Sequence, residues 1–367
     1  MASRKLNITP VNDWDLFHLP PRPCVIAGPC SAETEEQMLA TARGLRAFGI
    51  NVFRAGIWKP RTHPGSFEGL GSAGLKLLKK VKEETGMKTC TEVAGAKHVY
   101  ECLKYGVDLL WVGARTTANP FLMQEIADAL QDTDIPVLVK NPVNPDIDLW
   151  IGALERLNRA GVTKLGVIHR GFSTSEPSLY RNDPGWRLAI ELRTLYPELA
   201  FFADPSHMAG DRKYLRELSQ RAMDLGLEGL MIESHCDPSC ALSDAKQQLT
   251  PADLKKLLEE EITVRDSQSD DASYNEGLHQ LRAQIDLIDE NLITTFASRM
   301  KVSRDIGLYK KEHNVAILQT SRWDAILEKM KEEGKKYGLS DEFIVTVFNA
   351  IHEESVRSQN EILSKES

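Results

Sequence analysis

A chain of 367 residues with 42% hydrophobic and 27% charged residues is longer than one ordinary domain and has the balance of a folded globular protein. Its formal net charge of −8 excludes a general affinity for nucleic acid or anionic lipid, so anionic ligands must be held by local Arg and Lys clusters. No apolar run is long enough to span a bilayer, Met1-Ala-Ser-Arg-Lys5 leads into no secretory apolar region, and the six Cys lack regular spacing. A cytoplasmic protein with reduced thiols and no membrane partner is expected.

Residues 1–22 form a Pro-rich N-terminal extension, Leu19-Pro-Pro-Arg-Pro23 at its end, and no separate regulatory domain is expected ahead of the first strand. Short apolar runs then recur at 23–28, 51–56, 89–93, 109–114, 136–140, 165–171, 200–207 and 229–235. Between them lie amphipathic helical stretches such as 35–48, 75–85, 120–130, 149–160 and 186–195. Apolar runs alternating with helices predict parallel strands joined by right-handed crossovers. Eight of them within 23–261 fit a (β/α)8 TIM barrel better than an open doubly wound sheet. No Gly-x-Gly-x-x-Gly follows a strand, which argues against a dinucleotide site. The last barrel helix is predicted at 251–261, with Thr250 as N-cap and Pro251 at the first helical position.

Residues 262–275 are polar and read as a linker. From 276 to 367 the chain is predicted all-helical. Leu278, Leu281, Ile285, Ile288, Leu292, Phe296 and Met300 recur at three- and four-residue steps, giving a long amphipathic helix to about Lys311. A second helix is predicted at 322–337, closed near Gly338, and a third at 341–363, capped by Ser340. Three helices with so long a first member cannot bury their apolar stripe alone, so a homodimer through this small all-α domain is expected, and higher assembly is left open.

A parallel barrel brings its strand ends to one face. In chain order those ends deliver Cys30, then Arg54 followed by Lys59-Pro60-Arg61-Thr62, then Arg115, Lys140, His169-Arg170, His207 and Glu233, with Asp244 in the loop after Glu233. A single Arg at a strand end is as often half of a structural ion pair. Cations at successive strand ends of an acidic protein instead call for phosphates and a carboxylate. Cys30, His207, Glu233 and Asp244 are together the right donors for one divalent metal, and the mixed set tolerates Mn, Fe, Co or Zn. His235-Cys236-Asp-Pro-Ser-Cys240 looks like a second metal cluster but lacks the second donor pair of a structural zinc site.

The motifs G-P-C-S, R-A-G-x-x-K-P-R-T, G-A-R, V-K-N, H-R-G, D-P-S-H and I-E-S-H, in this order, resemble 3-deoxy-D-arabino-heptulosonate-7-phosphate (DAHP) synthase. The resemblance covers roughly residues 20–260 and is to the compact form, close to 3-deoxy-D-manno-octulosonate-8-phosphate synthase. It implies condensation of phosphoenolpyruvate with erythrose 4-phosphate. It also implies that Arg115, Lys140 and Arg170 hold phosphoenolpyruvate and that Arg54 and Lys59 lie at the reacting end, Lys59 as proton donor. Arg61 and Thr62 would hold the erythrose 4-phosphate phosphate. Lys-Pro-Arg-Thr resembles the four-carbon aldose version rather than the octulosonate enzymes, and Cys30 marks the metal-dependent form, since metal-independent relatives carry Asn there.

In the tail, Arg282, Arg299, Lys310, Arg322, Ser355 and Gln359 form a second set. Any one Arg in a Lys- and Glu-rich helical region is more often solvated than functional. With L-R-x-x-I-D-x-I-D at 281–289, A-S-R around Arg299, G-x-Y-K ending at Lys310, S-R at 321–322 and E-E-S-V-x-x-Q at 353–359, the region resembles the all-helical chorismate mutases. The resemblance implies a pericyclic rearrangement of chorismate to prephenate. Arg282 from the partner chain, Arg299 and Arg322 would engage carboxylates and nearby groups. Lys310 and Gln359 would face the ether oxygen, and Ser355 would add a carboxylate contact. Family members often carry Asp and Glu where this chain has Gln319 and Trp323. The two resemblances together imply a bifunctional shikimate-pathway enzyme with feedback through the helical domain. Alternatives are a helical domain that mainly senses chorismate or prephenate and dimerises, and, less favoured, octulosonate synthesis.

Overall fold

The computed structural model describes residues 5–17, 23–59, 67–175, 178–265, 269–317 and 320–363, without the side chains of 320–322 and 363. The chain divides into two compact units, Met1–Ser267 and Gln268–Ser367.

The first unit is a closed barrel of eight parallel strands in sequence order. They are β1 (Cys24–Gly28), β2 (Val52–Arg54), β3 (Lys88–Val93), β4 (Leu109–Val112), β5 (Val137–Lys140), β6 (Leu165–His169), β7 (Ala200–Ala203) and β8 (Gly229–Glu233). β8 closes on β1 in register Cys24↔Gly229 to Gly28↔Glu233, which sets the ends of the first and last strands side by side. Strands such as Val-Leu-Val-Lys of β5 are buried on both faces, as a strand between a barrel interior and a helical shell must be. The shell comprises α1 (Glu35–Arg46), α2 (Ser72–Thr85), α3 (Ala96–Tyr105), α4 (Ala114–Thr117), α5 (Pro120–Ala129), α6 (Ile147–Arg159), α7 (Trp186–Leu195), α8 (Pro205–Ala209), α9 (Leu215–Asp224) and α10 (Pro251–Lys256).

The predicted runs 165–171, 200–207 and 229–235 extend past the strands, which end at His169, Ala203 and Glu233. The surplus residues are the loops that carry polar chemistry. The predicted helix at 251–261 is α-helical only to Lys256. Leu257–Glu261 widens into a π turn before the chain extends at Ile262. Thr250 Oγ1 accepts from Asp253 N at 3.1 Å, as its N-cap position requires.

The N-terminal segment is more than a lead-in. Trp14 and Leu16 are buried among Ile26, Val52, Leu109, Leu138, Phe202 and Met231, which line the barrel interior. Thr9 N donates to Thr163 O at 2.9 Å, just ahead of β6, and Lys88 at the start of β3 pairs with Asp15 at 3.4 Å. The segment therefore stops the end of the barrel where strands begin.

The second unit is α11 (Ala272–Glu312), α12 (Thr320–Lys336) and α13 (Asp341–Leu363). The connection is shorter than the 262–275 linker read from sequence. Ile262 is buried in the barrel's outer core with Val264 packed beside it, and α11 already starts at Ala272, capped by Asp271. Sparse apolar content hid both ends, because two aliphatics suffice to dock an extended strand and a single Asp suffices to start a helix. Ser340 Oγ accepts from Phe343 N at 3.2 Å at the start of α13. α11 and α13 approach closely at Gly307, where a Cβ would lie 3.1 Å from Gln359 Cγ. The first buried residue of α11 is Ser303, and the apolar residues before it, Leu281, Ile285, Ile288 and Leu292, are exposed.

Candidate functional site

The barrel end where strands finish gathers buried charge. Cys30, two residues past β1, is fully buried; its Sγ donates to Asp244 Oδ2 at 3.2 Å and accepts from Lys59 Nζ at 3.0 Å. Cys30, Glu233 and Asp244 each offer a donor atom within 4.8 Å of the other two, the one such group of three among the described residues. His207, in the first turn of α8, brings Nε2 to 3.7 Å from Glu233 Oε1 and turns Nδ1 to Asp204 Oδ2 at 2.8 Å. The His235–Cys240 segment forms no such group. His235 Nε2 instead sits 3.6 Å from Glu33 Oε2, and Cys240 Sγ donates to Asp237 O at 3.2 Å.

Burial, with Glu233 nearby, pushes the Cys30 thiol up to about 12, which keeps it neutral. Glu233 Oε1 is buried with no hydrogen-bond partner among the described residues. A buried carboxylate oxygen that makes no hydrogen bond among the described residues, with the Arg54 guanidinium at 3.4 Å as its ion-pair partner, beside a thiol and a second carboxylate, belongs to a donor set that fits a divalent cation.

Cations surround this cluster. Arg54 is buried at the end of β2, with Nη1 3.4 Å from Glu233 Oε1, Nη2 donating to Cys30 O at 3.2 Å, and its guanidinium 4.8 Å from the Trp111 ring centroid. Lys140 ends β5 and donates to Asp204 Oδ2 at 2.7 Å. Burial of Asp204 opposes ionisation, but His207, Lys140 and Arg54 outweigh it and hold the carboxyl well below its usual range. Arg170 is held by neutral partners: its Nη1 donates to Asn182 Oδ1 at 2.7 Å and to Gly171 O at 3.2 Å. Burial, with Arg181 and Arg115 adding to it, pulls its guanidinium down to about 10 despite Asp204. A half-buried guanidinium crowded by others is set for an anion. Arg115 lies on the exposed side of α4. Arg61 and Thr62 fall outside the described residues.

Sequence reading missed four members. Asp204 stands in the D-P-S-H motif, and a partner for buried Lys140 was the signal to seek there. Gln248 Oε1 accepts from Cys30 N at 2.9 Å, and Gln247 Nε2 donates to Glu233 Oε2 at 2.7 Å. Arg181 reaches from the loop after β6 to Asp244 Oδ1 at 2.9 Å. Nothing in the periodicity marks it.

In the helical unit a cavity of about 380 Å³ is lined by Arg299, Lys310, Ser355 and Gln359 together with Trp323 and His352. Arg299 Nη1 donates to Ser355 Oγ at 2.7 Å, and Gln359 Nε2 donates to Ser303 Oγ at 3.1 Å, leaving Gln359 Oε1 buried without a hydrogen-bond partner among the described residues. Trp323 lies flat on His352, rings 4.1 Å apart and 20° from parallel. Arg282 is not in the cavity lining, being exposed on the earlier part of α11. The Arg322 side chain and Gln319 lie outside the description.

Residues 20–268 match the family model described as DAHP synthetase I family. The chain belongs to the DAHP synthetase I family. Residues 281–360 match chorismate mutase type II, so the DAHP synthase barrel is followed by a chorismate mutase domain and the chain is a bifunctional shikimate-pathway enzyme. The phospho-2-dehydro-3-deoxyheptonate aldolase of Thermotoga maritima is 34% identical over 243 residues, 66% of this chain and 70% of that protein. Its crystal structure superposes with a TM-score of 0.59, covering 64% of this chain and 67% of that one. A 2-dehydro-3-deoxyphosphooctonate aldolase of Magnetococcus marinus is 29% identical over 267 residues, 66% of this chain and 87% of that protein. No helix among the described residues is long and apolar enough to cross a membrane.

Proposed function

We propose that the barrel condenses phosphoenolpyruvate with erythrose 4-phosphate in a metal-dependent reaction, with Cys30, His207, Glu233 and Asp244 as metal donors. The observation that carries this reading is the contact of Lys59 Nζ with Cys30 Sγ at 3.0 Å, which sets a proton donor against the donor cluster. A divalent metal bound there supplies Lewis acidity to the aldehyde oxygen. Arg115, Lys140 and Arg170 hold phosphoenolpyruvate by its phosphate and carboxylate. Arg54 keeps its guanidinium beside the reacting end, and Arg61 with Thr62 takes the aldose phosphate. The enol carbon of phosphoenolpyruvate bonds to the aldehyde carbon, and Lys59 delivers a proton to the oxygen that becomes a hydroxyl. Water then adds at the phosphate-bearing carbon, whose bond to the phosphate oxygen breaks, releasing inorganic phosphate.

In the helical domain, Arg299, Arg322 and Ser355, with Arg282 from a second copy, hold the carboxylates of chorismate. Lys310 and Gln359 stabilise the ether oxygen as its bond breaks, so catalysis is positioning and charge complementarity. The exposed apolar stripe of α11 supports homodimerisation through this domain. Chorismate or prephenate bound there restrains the barrel, a coupling that must be reciprocal.

The test is three assays of one purified chain. Heptulosonate 7-phosphate formation that vanishes with chelator and returns with Mn²⁺ or Co²⁺ supports the barrel reading; preference for arabinose 5-phosphate over erythrose 4-phosphate replaces it with octulosonate synthesis. Chorismate loss that vanishes in Lys310→Ala supports the mutase. Binding without turnover makes the helical domain a sensor. Aldol rates and substrate affinities unmoved by chorismate and prephenate eliminate the feedback.

A further inference from the structure

Arg181 lies on the loop between β6 and α7, far in sequence from every metal donor named above. Its place is built. Phe172 and Asp183 pin the two ends of the loop by a pair of backbone hydrogen bonds, at 2.7 and 2.8 Å. Arg181 N donates to Ala209 O at 3.2 Å and Asn182 N to Met208 O at 3.1 Å, which ties the loop to α8. The stem of Arg181 runs over Gly210, where a Cβ would sit 2.5 Å from Arg181 Cβ; φ of +68° also favours glycine there.

From that seat one nitrogen makes two bonds. Arg181 Nη1 donates to Asp244 Oδ1 at 2.9 Å and to Gln247 Oε1 at 3.1 Å. Because Gln247 spends its carbonyl on Arg181, its amide nitrogen is the end that faces Glu233, donating to Oε2 at 2.7 Å. Each carboxylate thus has one oxygen tied off and one left toward the cluster. Asp244 Oδ2 faces Cys30 Sγ at 3.2 Å, and Glu233 Oε1 is buried with no hydrogen-bond partner among the described residues.

We propose that Arg181 is a positioning residue of the metal site: through Asp244 directly and Gln247 as a relay, it orients both carboxylate donors so that one oxygen of each is presented to the cation. This rests on the metal reading above. Without Arg181 the Gln247 amide is free to turn, placing carbonyl against carboxylate, and Asp244 loses the donor that fixes its plane. Partners of metal ligands act on affinity in this way, by about 10- to 100-fold.

The experiment is equilibrium dialysis of Mn²⁺ against the full chain and its Arg181→Ala, Arg181→Lys and Gln247→Leu variants, with KM for phosphoenolpyruvate measured at saturating Mn²⁺. Arg181→Ala is expected to weaken Mn²⁺ binding about 10- to 100-fold with that KM changed less than about threefold. Arg181→Lys, which keeps the charge but has a shorter reach and no rigid guanidinium plane, falls between, and Gln247→Leu shows part of the loss with Arg181 intact. Unchanged Mn²⁺ affinity in Arg181→Ala overturns the assignment, and a raised KM in its place makes Arg181 a substrate ligand. A parent chain that binds no Mn²⁺, Co²⁺ or Zn²⁺ overturns the metal reading and this assignment together. If Arg181→Ala does not fold, Gln247→Leu decides: undiminished affinity there overturns the relay.

Discussion

Cys30 and Asp244 stand 214 positions apart, yet Cys30 Sγ points at Asp244 Oδ2 from 3.2 Å. A thiol pushed up to about 12 by burial is neutral at physiological pH, so a cation that takes Cys30 as thiolate must expel its proton. Addition of Zn²⁺ or Co²⁺ near pH 7.5 is expected to release about one proton per ion, read with an indicator dye in weak buffer. Cys30→Ser should release almost none. Cys30→Ala should lose the aldol reaction while sparing chorismate turnover; loss of both would mean that the two units do not act separately.

The barrel should soften in mild acid through His169. It is buried, its Nε2 donates to Pro184 O, and burial pulls its pKa down to about 4. The unfolded chain, at about 6.5, binds more protons between those values. The stabilisation is therefore complete above about pH 6.5 and lost as pH falls toward 4, with a slope of at most about 1.4 kcal/mol per pH unit. His207, also lowered by burial, adds in the same direction. Urea midpoints from pH 7 to 5 should fall less steeply in His169→Gln than in the parent, and parallel slopes would refute the contribution.

Trp323 occupies a cavity wall where the mutase family often has an acid, and it cannot accept a hydrogen bond from a substrate hydroxyl. Trp323→Glu is expected to raise kcat/KM for chorismate about tenfold, near 1.4 kcal/mol, the worth of one good hydrogen bond. The readout is chorismate absorbance, with Lys310→Ala abolishing turnover in both backgrounds. An equal or lower rate would show that the stack on His352 already serves the substrate.

Ile285 and Leu292 on α11 are 56% and 46% exposed, too much apolar surface in one row for an isolated helix. Ile285→Glu with Leu292→Glu should convert a dimer to a monomer in sedimentation and remove mutase activity by withdrawing the partner's Arg282. A monomeric parent would end the dimer reading.

Much of the barrel was legible because its physics is local. Apolar runs between amphipathic stretches leave few alternatives once there are eight of them, and the cations at strand ends follow from chain order. The misses are relational. Asp204 becomes notable only when Lys140 is seen to be buried beside it. Gln247, Gln248 and Arg181 hold other donors rather than carrying chemistry, and no periodicity advertises a residue whose partner is 63 positions away, as Asp244 is from Arg181. In the helical unit, Arg299, Lys310, Ser355 and Gln359 line one cavity because three- and four-residue spacing fixes a face, whereas Arg282 is placed only by reference to a second copy.

The stopper formed by Trp14 and Leu16 has a kinetic corollary. With the strand-start end filled by Trp14 and Leu16, the reactants and the departing phosphate of the proposed condensation would have to pass through the opposite mouth. On the proposed reading, Lys140 lies deep at a buried strand end, so the reactant it holds is expected to enter ahead of its partner, an order traced to a few apolar residues at the opposite end of the barrel.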